Sequence, residues 1–216
     1  MPIQVLPAED ADMTRVFEIA SRAFAVTKDK VWPVLWPEGS DVEAGGARMT
    51  KTKNSDPNTT YIKAVDDETG EILGMAKWNI WTKENIALSD KAEGLMGEYS
   101  SAEDREFAKA LIPRFVADRN EAKVRTSGNL VSLDILTVDP AHQRKKVGDA
   151  LVRWGTQRAD ELGFEAVVES SPFGKGLYEK HGFVWVKDVV VEAPEFPERQ
   201  KGWYAWLVRP KQNVAQ

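Results

Sequence analysis

The chain has 216 residues, 42% of them hydrophobic and 29% charged, which is typical of a globular domain. Its net charge of −5 argues against a nucleic-acid partner, because proteins bind nucleic acids mainly by neutralising phosphates. With no Cys and two His, a disulfide, a thiolate nucleophile and a metal site are not expected. The sequence shows neither a signal peptide nor an apolar run long enough to span a bilayer, so we expect a cytoplasmic protein without a membrane partner.

The first half of the chain carries strand and helix signals separated by polar and Pro-rich connections. In chain order, the predicted elements are a strand at 3–6, a helix over about 11–25, an irregular or short helical connection at 29–39, a loop at 54–60, and a hairpin of strands at 61–65 and 72–81. A charged stretch with helical periodicity follows at about 82–125. Because it lacks the apolar mass to fold alone, we interpret it as a helical insertion in a single domain of residues 1–216.

The second half has clearer signals. The predicted elements are a strand at 129–138, a turn at 139–142, a helix from about Lys146 to Leu162, a strand at 165–169, a short helix that starts at S-S-P (170–172) and reaches Lys180, and strands at 184–191 and 203–208. Gly163 is the expected C-cap of the long helix. Strands that alternate with helices predict a mixed sheet with helices on its faces.

The strand that ends at Val138 leads through a turn into H-Q-R-K-K-V-G-D-A-L, which opens the long helix. The first N–H groups of a helix lack intrahelical partners and carry partial positive charge. Arg144, Lys145 and Lys146 add three cations, and Gly148 would let a ligand approach the backbone. This pattern predicts an anion site, and a pyrophosphate suits it best. A solvated charge run is the alternative for the basic triplet taken alone.

At these residues the sequence resembles the GNAT-type N-acetyltransferases, and its small fungal-like members in particular. The acetyl-CoA loop of that superfamily reads Q/R-x-x-G-x-G/A, and Gln143 and Gly148 fit it, while Lys146 stands at the first glycine. A second motif agrees: L-Y-E-K-H-G-F at 177–183 resembles the segment in which a Tyr faces the thioester sulfur. Tyr178 matches that Tyr, and Ser171 stands where the family often has Asn.

The resemblance, which covers about residues 128–191, implies the fold and the cofactor. It implies an α/β (α+β) fold with a mixed, mostly antiparallel sheet of about six to seven strands, two splayed parallel central strands, and helices on both faces. It implies acetyl-CoA between strands 130–138 and 165–169, and an amine that attacks the thioester directly in a ternary complex. The residues implied to bind the cofactor are Leu136, Thr137, Val138, Gln143, Arg144, Lys145, Lys146, Val147, Gly148, Asp149, Ala150, Ser171 and Tyr178.

The predicted catalytic residues are Tyr178, Asp134 and Glu169. A phenol near the sulfur can protonate the leaving thiolate, and a carboxylate, or a water held by one, can deprotonate the amine. We favour Asp134 as the base, since Ser132, Asp134 and Leu136 should share one face of their strand. Glu169 is the alternative base. For each of the two carboxylates, a purely structural role is the competing interpretation.

We expect the enzyme to be an acyltransferase that acts on a small-molecule or peptide primary amine, as a monomer or homodimer. An acyl-CoA-binding regulatory module with little or no turnover is the alternative, because Lys146 and Ser171 depart from the family pattern. The sequence does not identify the acceptor amine.

Overall fold

The structure is a computed structural model, and it describes residues 2–86 and 97–212. Its strands are β1 (Ile3–Pro7), β2 (Thr59–Asp66), β3 (Ile72–Trp81), β4 (Leu130–Val138), β5 (Glu165–Ser170), β6 (Val184–Val191) and β7 (Gly202–Arg209). The described α-helices are α1 (Met13–Thr27), α2 (Trp32–Leu35), α3 (Val42–Ser55), α4 (Ala102–Phe115), α5 (Ala117–Arg125), α6 (Val147–Leu162) and α7 (Lys175–Lys180). Short 3₁₀ turns lie at Asp10–Asp12 and Pro140–His142.

The seven described strands form one sheet in the order β1-β2-β3-β4-β5-β7-β6. Every neighbouring pair is antiparallel except β4 and β5, which are parallel. The connection from β4 to β5 passes through α6, as a parallel pair requires. The predicted mixed, mostly antiparallel sheet with two parallel central strands is therefore confirmed.

Helices cover both faces of the sheet. On one face α6 packs its buried residues, such as Leu151 and Ala159, against β3 and β4. The opposite face carries α1 and α3 at one end and α4 and α5 at the other. Two glycines make these contacts close: a Cβ on Gly155 of α6 would lie 2.2 Å from the Trp78 ring, and one on Gly45 of α3 would lie 2.2 Å from the Phe17 ring.

The local signals set the boundaries of most elements. Gly163 ends α6 in a left-handed conformation with a φ of 65°, as expected of a C-cap. Lys28 ends α1 in the same way, with a φ of 53°. Helix α3 was not predicted from the sequence, and its last two residues fall where a loop was expected. Its polar sequence, with the adjacent Gly45 and Gly46, gives no clear helical signal. The helix is stabilised by packing against α1.

The predicted helical insertion corresponds to α4 and α5 where the structure describes it. Part of that stretch, residues 87–96, lies outside the described residues. Its status as an insertion in a single domain stays a prediction. Within 2–86 and 97–212, the helices are all too short or too polar to cross a bilayer.

Candidate active site

The parallel strands β4 and β5 separate halfway along β4. Their described pairing runs from Leu130↔Glu165 to Leu133↔Val168 and ends there. Beyond that point β4 continues beside β3, and β5 continues beside β7. The edge of β4 at residues 134–138 is therefore left without a strand on the β5 side. Its backbone N–H and C=O groups can pair with a ligand instead.

A β-bulge lies at the start of this gap. On β3, the consecutive residues Lys77 and Trp78 oppose Ile135 and Leu133, so Asp134 is the extra residue of β4. Bulges bend a strand and redirect its side chains. The bulge thus explains both the separation of β4 from β5 and the position of the Asp134 carboxylate.

The bulge also breaks the expected alternation of side chains along β4. Leu136 packs with Leu133 in the hydrophobic cluster beneath α6, whereas Ile135 packs in the cluster around α1. A regular strand would have placed Ser132, Asp134 and Leu136 on one face. That expectation does not hold, because the face changes at the extra residue.

The turn after β4 is fixed by the buried carboxylate of Asp139. It accepts a hydrogen bond from the Ala141 N–H at 3.0 Å, and others from Arg15 and Arg22 of α1 at 2.8 and 3.3 Å. Burial opposes ionisation, but these donors outweigh it and lower the pKa of Asp139. The first half of the chain therefore anchors the loop that precedes α6.

Residues 143–146 of that loop are exposed and follow an unusual backbone path. Arg144 and Lys146 both adopt the left-handed conformation, with φ of 64° and 65°. For a residue other than glycine this costs about 1–3 kcal/mol, and such strain is most often kept at functional sites. Lys146 occupies the first glycine position of the loop pattern and has the conformation that glycine adopts most easily. A Lys at this position is therefore compatible with the backbone conformation that the loop requires.

Helix α6 begins at Val147 and receives no side-chain cap from its N-cap residue, Lys146. The N–H groups of its first turn are consequently open to an external acceptor. The exposed Gln143, Arg144 and Lys145 lie just before this turn in the chain. Open amides, the helix dipole and these cations together suit a diphosphate.

The residues that open α6 also join it to α7. Val147 is 1% exposed and belongs to the core. A Cβ on Gly148 would lie 3.0 Å from a methyl group of Leu177, so glycine lets α7 approach here, where the sequence had suggested space for a ligand. The Asp149 carboxylate lies 3.1 Å from Nε2 of His181, just after α7. The predicted phosphate loop and the predicted acid are thus parts of one packed unit.

Tyr178 lies on α7 and is 6% exposed. The ring contacts Phe183 edge-on at 5.8 Å between centroids, and a Cβ on Gly174 would lie 2.8 Å from it. Burial raises the pKa of Tyr178, so its phenol keeps its proton at neutral pH. With Ser171 and Leu136, Tyr178 lines a cavity of about 560 Å³, a size common among small-molecule sites.

Four charged side chains form a chain of ion pairs along this cavity. Lys77 Nζ donates to Asp134 Oδ2 at 2.5 Å, and Arg119 Nη1 donates to Asp134 Oδ1 at 2.7 Å. Arg119 also binds both oxygens of Glu169, at 3.0 and 2.7 Å. The Arg119 and Glu169 side chains are 7% and 2% exposed. The predicted bases Asp134 and Glu169 are therefore brought together by a single arginine.

The two carboxylates differ in basicity. Although burial acts in the other direction, Lys77 and Arg119 hold the pKa of Asp134 below its usual range. Burial raises the pKa of Glu169, and its pairing with Arg119 only partly opposes the shift. The directions of the two pKa shifts favour Glu169 over Asp134 as the proton acceptor, and the identity of the base stays a prediction.

The exposure of the remaining predicted residues is mixed. Leu136 and Val138 are half-buried, Ala150 is half-buried on α6, and Thr137 is 4% exposed with its hydroxyl lacking a hydrogen-bond partner in the described structure. Lys77 was missed by the sequence analysis. A lone cation in the apolar run I-L-G-M-A-K-W was a usable signal, because buried lysines are almost always paired.

Comparison with known proteins identifies the architecture. The chain aligns end to end with a solved structure from Corynebacterium glutamicum, described as histone acetyltransferase HPA2 and related acetyltransferase, with a TM-score of 0.63, 18% identity and 100% coverage of both chains. The chain has the GNAT fold. Residues 110–185 also match the family profile described as an acetyltransferase (GNAT) domain.

Two further structures with the GNAT fold were solved with a coenzyme. PaiA N-acetyltransferase from Thermoplasma acidophilum, in complex with coenzyme A, has a TM-score of 0.56 at 13% identity, with 97% of this chain and 99% of that one covered. YncA from Salmonella typhimurium, with acetyl-CoA, has a TM-score of 0.58 at 16% identity, with 100% and 98% covered. No curated protein sequence matches the chain. None of these organisms is a fungus, so the fungal-like affinity gains no support.

Proposed function

We propose that the protein is an acetyl-CoA-dependent N-acetyltransferase that moves the acetyl group directly to a primary amine of a small molecule or peptide. One observation carries the proposal: the gap between β4 and β5 combines an unpaired strand edge with an uncapped helix N-terminus and a buried phenol, Tyr178. The two coenzyme complexes among the structures with this fold support the choice of cofactor. The cytoplasmic location and the monomeric or homodimeric state remain predictions.

The cofactor fits the groups on both sides of the gap. The amides at the start of α6, with Gln143 and the cations at 144–146, would hold the diphosphate, with Gly148, Asp149 and Ala150 completing that turn. The free edge of β4 at 136–138 would pair with the amide groups of the pantetheine arm. Acetyl-CoA would supply an activated thioester, whose carbonyl oxygen could accept a hydrogen bond from one N–H of β4 as charge develops on it.

Proton transfer divides between the two ends of the site. The Tyr178 hydroxyl would donate its proton to the sulfur as the C–S bond breaks, which turns a poor thiolate leaving group into a thiol. Glu169 would accept the proton of the attacking amine, directly or through a water. Asp134 would hold Lys77 and Arg119 in place and so fix the orientation of Glu169. Asp134 as the base is the alternative.

Thiol release provides a sensitive test because the chain contains no Cys and gives no background with a thiol-reactive dye. Calorimetric titration with acetyl-CoA is the companion measurement, since binding must precede release. We expect saturable binding and amine-dependent thiol release, with Tyr178→Phe retaining the first and losing most of the second. Binding without release across a broad amine panel would favour the regulatory module, and no binding at millimolar acetyl-CoA would refute both.

A further inference from the structure

Four side chains of alternating charge line the cavity in a continuous chain, from Lys77 on β3 to Glu169 on β5. Lys77 donates to Asp134, and Arg119 donates to both Asp134 and Glu169, over distances between 2.5 and 3.0 Å. Two cations therefore balance two carboxylates. Arg119 alone could not balance them, because it carries one positive charge and contacts both.

Lys77 is the cation at the end of this chain. Its side chain is 13% exposed, and Tyr61 of β2 lies directly opposite it in the sheet. The charged groups that act on it are Asp134 and Arg119. Burial alone would lower the pKa of Lys77, but the attraction of Asp134 outweighs burial and raises that pKa. The ammonium group therefore stays charged at neutral pH and contributes a full positive charge to the network.

The phenols beside the network do not alter this balance of charge. Burial raises the pKa of Tyr61 to about 12. Burial also raises the pKa of Tyr204 on β7, and the nearby carboxylates of Asp118 and Glu169 act in the same direction. The Tyr204 hydroxyl donates to Asp118 at 2.8 Å, and Lys187 balances the Asp118 charge at 2.7 Å. Both phenols are therefore neutral at the pH where an amine would react.

We infer that Lys77 is a positioning residue for the proposed acetyl transfer, in which it balances the second buried carboxylate so that Asp134 and Glu169 are both ionised and fixed when the amine arrives. The inference rests on the proposed function and adds a residue that acts on the base through Asp134. Without Lys77, two carboxylates would share one guanidinium in a buried site. Like charges that share a site cause one of the pair to take up a proton at a higher pH. Glu169, at 2% side-chain exposure against 17% for Asp134, is the one expected to take it up.

Infrared titration tests this charge balance without a substrate, because the C=O band of a protonated carboxyl group reports proton uptake by the protein itself. Lys77→Met removes the charge, and Lys77→Gln removes it but keeps a hydrogen-bond donor for Asp134. In both variants we expect a carboxyl group to titrate at least about one pH unit higher than in the wild type. Adding Glu169→Gln to Lys77→Met leaves one cation and one carboxylate, so the raised titration should disappear.

Lys63→Met is the matched control. Lys63 is 17% exposed and pairs with a single carboxylate, Asp12, at 2.6 Å, and it does not line the described cavity. This variant should leave the titration of the network unchanged. Lys77→Arg keeps the positive charge and should also retain the wild-type titration. An unshifted carboxyl titration in both Lys77→Met and Lys77→Gln would overturn the inference.

The pH profile of thiol release separates the inference from the proposed function. With acetyl-CoA and the amine of the panel that the wild type acetylates fastest, the acid limb of kcat should move to higher pH in Lys77→Met and Lys77→Gln. It should not move in Lys63→Met or Lys77→Arg. Measurable turnover with an unshifted acid limb in the two neutral variants would overturn the inference alone. No thiol release from the wild type would instead remove the proposed function, and the inference with it.

Discussion

The stability of the buried ion-pair network can be tested at Arg119. Arg119→Met keeps an unbranched aliphatic stem but removes the guanidinium group and its three hydrogen bonds to Asp134 and Glu169. Removing one partner of a buried pair costs about 3–5 kcal/mol, because the other charge is left buried. For a domain of this size, about 1 kcal/mol corresponds to a fall in Tm of about 2–4 °C. We therefore expect a fall in Tm of roughly 6–20 °C.

Arg125→Met is the matched control for this measurement. Arg125 pairs with Glu165, but its side chain is 55% exposed, and exposed pairs contribute about 0–1 kcal/mol. Urea unfolding and scanning calorimetry on both variants give the comparison. The explanation is refuted if Arg119→Met loses no more stability than Arg125→Met.

The same variant should show a characteristic pH dependence. Burial raises the pKa of Glu169 even with Arg119 present, and removing the cation raises that pKa further. A carboxyl group whose folded pKa lies above its unfolded value destabilises the fold above the folded pKa, and the effect fades as the pH falls toward the unfolded value of about 4.3. The loss of unfolding free energy in Arg119→Met should therefore be largest at neutral pH and should become smaller as the pH falls. A deficit that grows as the pH falls from 7 to 5 would contradict this.

Three further predictions concern single residues. Tyr178→Phe should lower kcat by about 100-fold or more while the Kd for coenzyme A stays unchanged; unchanged turnover would exclude the acid role. Lys146→Val should lose about 1–2 kcal/mol in urea unfolding and Lys146→Gly should not, because a β-branched residue fits the left-handed conformation poorly; equal stabilities would contradict the strain at this position. Gly155→Ala should lose about 1–3 kcal/mol, since its new methyl group would overlap the Trp78 ring, and a wild-type Tm would refute that packing.

The segment from β4 to α7 was predictable because its signals are local. Three signals depend only on neighbouring residues in the sequence: the apolar run of β4, Gly163 and the L-Y-E-K-H-G-F motif. The structure forms the expected elements, and most of their boundaries lie within a residue or two of the predicted ones. The beginning of α7 is an exception, since the chain does not become helical until Lys175. The parallel pairing of β4 and β5 was expected from the family resemblance, whereas the order of the strands across the sheet was not predicted.

The acceptor side was not predictable in the same way, because it depends on contacts between distant segments. Arg119 lies on a charged helix where nothing marks it as buried, and its partners are 15 and 50 residues away in sequence. The bulge at Asp134 depends on the pairing of β4 with β3, and no turn-forming residue in the sequence indicates it. The preference for Asp134 as the base was drawn without knowledge of Arg119 or of the bulge, and it stays a prediction.

In the proposed complex, the gap between β4 and β5 holds the coenzyme with its thioester beside Tyr178. A crystal structure determined with acetyl-CoA tests it most directly. We expect density for the diphosphate on the amides that open α6, for the pantetheine arm along residues 136–138, and for the sulfur within hydrogen-bond reach of the Tyr178 hydroxyl. Density for the coenzyme elsewhere on the molecule, or a Tyr178 hydroxyl directed away from the sulfur, would contradict this placement of the coenzyme.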